Sequence, residues 1–353
     1  MITSRGSDPT YSVGVLGWDL GGVNTKTVRL TLEPATRTFS LCTPYELQRN
    51  LAALGPTLRS AARQLGGSDR DLHAITMTAE LSQAFRTKRE GVDYILSAFE
   101  ATFPPERLHV YTVAGKFVSP HAARQRPIAV AASNWSATAH WVATLVPTCV
   151  LIDIGTTTTD LIPILNGEVS AQGRTDLERL GCGELVYTGA LRTPVESVAY
   201  GVTLRGRATG LAAEAFALMG DVYLWQGLLQ SCDYTCPTPD RRPATKSYAG
   251  ERLARAVCAD REMLNEADID QIAAALGVAQ VQRITHALEH IRWRHPEIET
   301  AVITGLGAFV GVAAAGAAGL RSELLSERAG GDPQVTPAAA VARLLVESLA
   351  AAR

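Results

Sequence analysis

The chain has 353 residues, of which 46% are hydrophobic and 19% are charged, which is enough apolar surface for a globular core and more length than one domain usually needs. Its formal net charge of −2 excludes a general electrostatic attraction to nucleic acid or to an anionic membrane. The polar N-terminal segment 1–12 lacks the hydrophobic region of a signal peptide, so we expect a cytoplasmic protein.

The first predicted element is a strand, a turn and a second strand over residues 13–32. Its apolar run contains Asp19, and the residues that follow, which combine glycines with polar side chains, include Gly21, Gly22, Asn24, Thr25 and Lys26. A carboxylate beside successive backbone N–H groups suits a phosphate chain with bound Mg²⁺, because amides bind phosphate oxygens and the carboxylate binds the metal. An ordinary hairpin with a polar loop gives the same pattern, so one copy leaves both interpretations open.

The next part of the chain alternates helical and strand patterns, which is typical of an α/β fold. Helices are predicted over 46–65, 88–103 and 127–145, and strands over 73–78 and 108–113. Glu80 follows one of these strands, at what should be the carboxyl edge of a sheet, where α/β proteins gather their chemistry. Glu80 is therefore a candidate acid, base or substrate contact. A glutamate in the first turn of a helix is the alternative, and the sequence alone favours it.

The layout of the first hairpin returns over residues 149–169. A β-branched apolar run contains Asp153, and Asp160 opens the second strand. The turn between them consists of Gly155, Thr156, Thr157 and Thr158. A third strand is predicted after each copy, over 37–42 and 168–172. The duplication favours the phosphate interpretation and predicts two related halves that face a shared cleft.

A glycine-punctuated polar segment over 173–184 is predicted to be a loop that carries two candidate functional carboxylates, Asp176 and Glu184. Arg192 could pair with a phosphate through its guanidinium group. A polar surface loop without a function is the alternative. Further helices are predicted over 211–229, 250–259, 268–276, 278–293 and 337–351, and a strand over 299–304.

Two glycines, Gly305 and Gly307, follow the last predicted strand. They would let a nucleotide approach the backbone, or they would let a helix and a strand pack closely. The six cysteines are scattered, and reduced thiols are expected in a cytoplasmic chain. His286 and His290 lie four residues apart without a third ligand nearby, which favours helix-surface residues over a metal site.

The two hairpins and the later glycine turn resemble the actin, sugar kinase and Hsp70 superfamily, and within it the hydantoinase/oxoprolinase-related group. The segments that carry the resemblance are GWDLGGVNTK at 17–26, MTAEL at 77–81, AASNWSATA at 131–139, DIGTTTTDLIPI at 153–164, RTDLERLGCGELVYTGALRTPV at 174–195, MGDVYLWQG at 219–227, RLARAVCAD at 252–260 and TGLGAF at 304–309. The most specific likeness is to the branch linked to tetrahydromethanopterin-dependent one-carbon metabolism and methanofuran biosynthesis. Ala79 departs from the pattern, which has glycine there, and the 236–246 loop has fewer glycines than the pattern.

The resemblance implies an α/β fold with two RNase H-like domains and a central cleft. The first domain would cover 11–145, the second 146–336, and the helix over 337–351 would pack back on the first. The implied enzyme is a transferase that condenses (5-aminomethylfuran-3-yl)methyl diphosphate with the phenol of γ-glutamyltyramine or of a tyrosine analogue, and releases pyrophosphate. No nucleic acid or membrane partner is implied, and the oligomeric state is left open, with a homodimer as one option.

The resemblance also implies roles for individual residues. Mg²⁺ is the expected cofactor, with the candidate ligands Asp19, Asp153, Asp160 and Asp176. The residues expected to hold phosphate oxygens or a nucleotide are Gly21, Gly22, Asn24, Thr25, Lys26, Gly155, Thr156, Thr157, Thr158, Arg192, Gly305 and Gly307. A phenol with an ordinary pKa of about 10 needs a base, for which Glu80 and Glu184 are the candidates.

Two other classes of function remain open at this point. In an ATP-dependent small-molecule kinase, or a hydantoinase/oxoprolinase-type enzyme that uses ATP, the same hairpins would bind ATP, and ADP formation would reveal it. A nucleotide-dependent scaffold of the actin type would bind nucleotide without turnover.

Overall fold

The computed structural model describes residues 14–31 and 37–351, so the predictions for segment 1–12 lie outside the described residues. The chain divides into two compact units. One consists of Met1–Trp141 and Pro337–Arg353, and the other of Val142–Thr336.

The described part of the first unit is built on a six-stranded sheet with the order β3-β2-β1-β4-β5-β6. Its strands are β1 (Gly14–Leu20), β2 (Asn24–Thr31), β3 (Arg37–Pro44), β4 (Leu72–Met77), β5 (Leu108–Tyr111) and β6 (Phe117–Val118). Strands β1, β2 and β3 are antiparallel neighbours, whereas β4 is parallel to β1 and β5 is parallel to β4. The helices are α1 (Leu54–Gln64), α2 (Lys88–Glu100) and α3 (Pro120–Gln125), and α4 (Asn134–Leu145) crosses the boundary between Trp141 and Val142.

The second unit repeats this strand order in a sheet with the order β10-β8-β7-β13-β14, in which β9 also pairs with β8. Its strands are β7 (Cys149–Ile154), β8 (Thr159–Leu165), β9 (Glu168–Val169), β10 (Leu185–Val186), β11 (Gly201–Leu204), β12 (Arg207–Gly210), β13 (Thr300–Thr304) and β14 (Arg321–Leu324). The helices are α5 (Asp176–Cys182), α6 (Met219–Gln226), α7 (Lys246–Ala256), α8 (Glu266–Arg294), α9 (Ala308–Ala317) and α10 (Leu325–Ala329).

Each unit thus contains an antiparallel meander whose first strand has parallel neighbours on its other side. The order β3-β2-β1-β4-β5 in the first unit corresponds to β9-β8-β7-β13-β14 in the second. This is the RNase H-like arrangement, and the chain has the α/β fold of the actin, sugar kinase and Hsp70 type. Strands β1 and β7 are buried along their whole length, because neighbouring strands cover both edges and helices cover the sheets.

The last helix, α11 (Thr336–Ala351), lies against β1 of the first unit. Ala338 and Ala342 contact Gly17 in the middle of that strand. Because Gly17 on the strand and the two alanines on the helix are small, α11 packs closely on β1, the strand that contains Asp19.

The structure corrects two predictions: the separate helices over 268–276 and 278–293, and the loop over 173–184. Residues 268–293 form one helix, α8, because Gly277 is tolerated inside a helix whose flanking face, including Leu276 and Ile284, is buried. The segment 173–184 is not a loop throughout. A capping box between Thr175 and Glu178 starts α5 there.

The prediction from the sequence missed or misplaced other elements. Residues 127–129 form a separate short turn, and α4 begins only at Asn134. The hairpin of β11 and β12 and the strand β14 were not predicted. Along the described ranges 14–31 and 37–351, no helix combines the length and apolar composition needed to cross a membrane.

A buried histidine on β4 is hydrogen-bonded to the first strand of the first hairpin. His73 on β4 accepts a hydrogen bond at Nδ1 from Trp18 Nε1 (3.1 Å), and its ring stacks on Phe103 with centroids 3.9 Å apart. Burial lowers the pKa of His73 to about 4. The imidazole is therefore neutral in the folded protein near neutral pH, as its acceptor role at Nδ1 requires.

Candidate functional site

The first turn is closed by a backbone hydrogen bond and carries an ion pair at its base. Gly21 N donates to Asn24 O (2.9 Å), so β1 passes into β2 through a tight turn over residues 21–23. Asp19 lies directly opposite Lys26 in the register, with Lys26 Nζ 3.3 Å from Asp19 Oδ2. The other carboxylate oxygen, Asp19 Oδ1, and the hydroxyl of Thr25 are buried and have no hydrogen-bond partner among the residues that the structure describes. Buried oxygens of this kind are typical of a site that a water or a ligand completes.

The second turn has the same backbone geometry but a different charge. Gly155 N donates to Thr158 O (2.9 Å), which closes the turn over residues 155–158 between β7 and β8. Asp153 lies directly opposite Asp160, and both residues are buried. Opposed residues of an antiparallel pair have neighbouring side chains, so two carboxylates stand next to each other here.

An arginine compensates part of this negative charge. Arg179 on α5 is buried and forms an ion pair with Asp160 through its Nη2 atom. Its Nη1 atom lies 3.8 Å from Asp176 in the first turn of the same helix. Sequence reasoning did not single out Arg179, although the capping signal at Thr175 would have placed it on a helix.

These carboxylates bear on the predicted Mg²⁺ site. Within residues 14–31 and 37–351, no group of three or more His, Cys, Asp or Glu side chains is placed to hold a metal ion. Mg²⁺ bound with a diphosphate needs fewer protein ligands, since waters and phosphate oxygens fill most of its coordination shell. The opposed pair of Asp153 and Asp160 supplies the oxygen donors that Mg²⁺ prefers, so the second turn fits this ion. Asp19, Asp160 and Asp176 each lie beside a cation, so the feature that sets Asp153 and Asp160 apart is that they face each other across the hairpin.

The two glycines after β13 lie against the end of β7. Gly305 has φ +91°, and a Cβ atom placed on it would lie 2.6 Å from Asp153 Oδ1. Gly307 N donates to Ile154 O at the end of β7 (2.9 Å). Close packing inside the unit therefore explains the glycine at position 305, and contact with a nucleotide stays a prediction.

A short segment backs the second turn, and we call residues 188–193 the backing segment. Ala190 N donates to Gly155 O (3.0 Å), and Arg192 N donates to Thr156 O (2.8 Å). A Cβ atom on Gly189 would lie 2.5 Å from Thr157 N, so only glycine permits this approach. The contacts place the backbone of Arg192, whose side chain is exposed, beside the predicted phosphate turn.

Glu80 lies at the carboxyl edge of the first sheet, as predicted. It follows β4 in the single turn Ala79–Leu81, is buried, and has Lys88 Nζ 3.5 Å from its Oε1 atom. Thr78, two residues before Glu80, donates its N–H to Leu20 O at the end of β1 (2.8 Å). Glu80 therefore follows a strand end that is hydrogen-bonded to the end of the Asp19 strand, and sequence reasoning missed its lysine partner.

Glu184 is placed differently. Its carboxylate is fully buried and accepts hydrogen bonds from Gln172 N (2.9 Å) and Gly173 N (3.1 Å), while Arg294 Nη2 lies 3.4 Å away. A buried carboxylate with these partners holds the start of the 173–184 segment in place. The contacts favour a structural role for Glu184 over the predicted catalytic one.

Comparisons with known proteins agree with the fold and narrow the family. The sequence profile of the hydantoinase/oxoprolinase family matches residues 71–348. A protein of Methanocaldococcus jannaschii is 35% identical over 338 residues, which cover 95% of this chain and 98% of that protein. It is named (4-{4-[2-(gamma-L-glutamylamino)ethyl]phenoxymethyl}furan-2-yl)methanamine synthase.

Two further comparisons extend this finding. A protein of Methanococcus vannielii with the same name is 35% identical over 159 residues, which cover 45% of this chain and 71% of that protein. Among solved structures, nucleotide-free acetone carboxylase superposes with a TM-score of 0.58 at 12% identity, covering 94% of this chain and 70% of that one. The second likeness concerns the fold alone.

Proposed function

The chain belongs to the hydantoinase/oxoprolinase family, and from that premise we propose that it is the synthase that forms a phenoxymethylfuran ether in methanofuran biosynthesis. One observation carries the proposal: the 35% identity to the M. jannaschii synthase extends over 95% of this chain and 98% of that protein. A likeness of this length includes far more than the two phosphate-type turns, which many unrelated activities share.

The reaction joins a furan and a phenol. The phenol oxygen of γ-glutamyltyramine, or of a tyrosine analogue, attacks the CH₂ carbon of (5-aminomethylfuran-3-yl)methyl diphosphate. The bond from that carbon to the diphosphate oxygen breaks, pyrophosphate leaves with the bonding electrons, and the phenol proton passes to a base. The furan ring can share the positive charge that develops at the CH₂ carbon.

The second turn is the proposed magnesium site. Asp153 and Asp160 would hold the ion, and Arg179 would keep Asp160 in place through their ion pair. Bound Mg²⁺ supplies positive charge for the departing pyrophosphate. We leave Asp19 out of this ligand set because it faces Lys26 and not a second carboxylate, and Asp176 because it lies on α5 and not on the paired strands.

The cationic and polar groups of the turns are the proposed phosphate contacts. In the second unit these are the exposed Arg192 and the threonines Thr156, Thr157 and Thr158. In the first unit they are Lys26, held beside Asp19, and the turn residues Gly21, Gly22, Asn24 and Thr25. Backbone amides, hydroxyls and fixed cations stabilise charge on phosphate oxygens without reorganising during the reaction.

Glu80 is the proposed base for the phenol. It lies at the carboxyl edge of the first sheet, where α/β proteins gather reacting groups, and Lys88 provides a positive neighbour for its carboxylate. Glu184 is left out of the proposal, because its carboxylate already binds two backbone amides.

The test is a product assay with the purified protein. It is incubated with Mg²⁺, the furan diphosphate and either γ-glutamyltyramine or its tyrosine analogue, and the mixture is analysed by mass spectrometry and by a pyrophosphate assay. We expect the ether and pyrophosphate in equal amounts. Formation of ADP from Mg-ATP with the acceptor, without release of pyrophosphate from the furan diphosphate, would contradict the proposal.

A further inference from the structure

A buried glutamine lies behind the backing segment, outside every residue set assigned so far. We propose that Gln280 on α8 is a positioning residue for the second phosphate turn. It would hold the backing segment 188–193 in the position from which that segment supports residues 155–158. The inference rests on the proposed function, because the turn is there assigned to the diphosphate.

The contacts of Gln280 reach the backing segment directly. Its Nε2 atom donates to Thr188 Oγ1 (2.6 Å) and to Gly189 O (2.9 Å). Its Oε1 atom accepts a hydrogen bond from the hydroxyl of Tyr223 on α6. Gln280 is fully buried, so these contacts are not shared with bulk water.

The amide can have only one orientation in this environment. The carbonyl oxygen of Gly189 accepts hydrogen bonds and cannot donate, so the NH₂ group of Gln280 must face it. The Oε1 atom then faces Tyr223, and burial raises the pKa of Tyr223, which keeps its hydroxyl protonated as a donor. The amide of Gln280 thus makes hydrogen bonds to Tyr223, Thr188 and Gly189 at the same time, which fixes the position of the Gly189 backbone relative to α8.

The backing segment passes this position on to the turn. Thr188 O accepts from Thr159 Oγ1 on β8 (2.7 Å), and Gly189 N donates to Thr193 Oγ1 (2.8 Å). The next three amides donate to the carbonyl groups of Gly155 and Thr156. A shift of Gly189 therefore moves the carbonyl contacts of the turn and the backbone that carries Arg192.

A chemically simpler side chain would fill the same core space. The face of α8 around Gln280 is apolar, since Leu276 and Ile284, four residues to either side, are fully buried. A polar amide at this depth is costly unless every hydrogen bond is made. Its presence therefore supports a role in setting the backbone of residues 188–193.

The experiment compares Gln280→Met with Ile284→Ala on the same face of the same helix. Binding of inorganic pyrophosphate with excess Mg²⁺ is measured by calorimetry for the wild type and both variants, alongside thermal unfolding and hydrogen exchange. Gln280→Met should raise the dissociation constant about tenfold, since two hydrogen bonds to the segment are lost. It should also speed exchange at the amides of Ala190, Leu191 and Arg192.

Ile284→Ala separates positioning from stability. It should lower the unfolding temperature while leaving the dissociation constant within about twofold of the wild type, because a cavity on α8 removes no polar contact to the segment. Tyr223→Phe is a second, milder variant that frees Gln280 Oε1 and should weaken pyrophosphate binding about threefold.

The outcomes are distinct. If Gln280→Met and Tyr223→Phe bind pyrophosphate as tightly as the wild type, or if Ile284→Ala weakens binding as much as they do, Gln280 is not a positioning residue. If the wild type itself binds no pyrophosphate and forms no ether, the proposed function is wrong and the positioning inference is overturned with it.

Discussion

The hairpins β1–β2 and β7–β8 have the same backbone design and opposite chemistry at one position. In both, the last residue but one of the first strand is a buried aspartate, and a glycine N–H donates to a carbonyl three residues later. The residue opposite the aspartate is Lys26 in the first unit and Asp160 in the second. The first pair joins a cation and an anion, whereas the second brings two carboxylates together beside Arg179.

This difference suggests a division of labour after duplication. A lysine that is held by a carboxylate offers a fixed cation to a phosphate oxygen, whereas two adjacent carboxylates offer oxygen ligands to a divalent metal. We therefore assign the metal to the second hairpin alone, whereas both hairpins contact phosphate oxygens.

The largest expected effect follows from removing the charge of Asp153. Asp153→Asn should lower the rate of ether formation by about 100-fold to 1,000-fold, because a group that stabilises the leaving pyrophosphate is lost. The rate is measured by pyrophosphate release at saturating substrates. Circular dichroism should show an unchanged fold, and the exposed Asp260→Asn is the matched control. Turnover at the wild-type rate in Asp153→Asn would remove this carboxylate from the mechanism.

The second test concerns stability and the arginine that distinguishes the second hairpin. Arg179→Met should lower the free energy of unfolding by about 3 kcal/mol, because the buried carboxylate of Asp160 loses its cationic partner beside Asp153. Lys26→Met should cost less than Arg179→Met, because water reaches the Lys26 side chain, which is 24% exposed, whereas Arg179 is 1% exposed. Urea denaturation measures both, and equal losses would show that the two hairpins do not differ in this respect.

A third test concerns His73, which is hydrogen-bonded to Trp18 in the first hairpin, and the pH dependence of stability. His73 is neutral in the folded protein because burial lowers its pKa to about 4, while in the unfolded chain it takes up a proton near the ordinary pKa of about 6.5. The unfolded state therefore binds more protons between these values, and stability should fall by about 1.4 kcal/mol per pH unit as pH drops from about 6 to 4.

Denaturation curves of His73→Gln measure this contribution. The variant should be less stable at pH 7 and should show a weaker pH dependence than the wild type between pH 6 and 4. The exposed His121→Gln serves as the control and should keep the wild-type profile. An unchanged pH profile in His73→Gln would show that His73 is not the titrating group.

The smallest expected effect is on the Michaelis constant for the furan diphosphate. Lys26→Met should raise it about tenfold, the cost of one charge-assisted contact to phosphate, while the constant for the phenolic acceptor changes less than about twofold. Lys116→Met, which removes an exposed lysine from another loop of the same unit, is the control. A larger change in the acceptor constant would assign Lys26 to the acceptor instead.

The parts that the sequence predicts well are local. The strand ends at Asp19 and Asp153 and the glycine turns follow from residue order over a few positions, and the repeated pattern was enough to predict two related units. The α/β fold followed from the same repeat and from the alternation of strands and helices between the copies.

The parts that the sequence did not predict depend on long-range contacts. The residues next to Asp160 in the chain do not indicate that Arg179 will pair with it. The partners of the buried Glu184 carboxylate, two backbone amides and an arginine, are more than ten residues away in the chain. Gln280 lies 92 residues from Thr188, so its role is visible only once α8 packs on the sheet. The continuity of α8 across Gly277 also depends on packing and not on local propensity.

The most direct test of the proposed division of labour is a titration of Mg²⁺ in the presence of saturating pyrophosphate, with Asp153→Asn and Asp19→Asn measured side by side with the wild type. We predict that Asp153→Asn weakens Mg²⁺ binding at least about tenfold and that Asp19→Asn changes it by less than about twofold. Equal losses in the two variants, or a larger loss in Asp19→Asn, would contradict the assignment of the metal to the second hairpin.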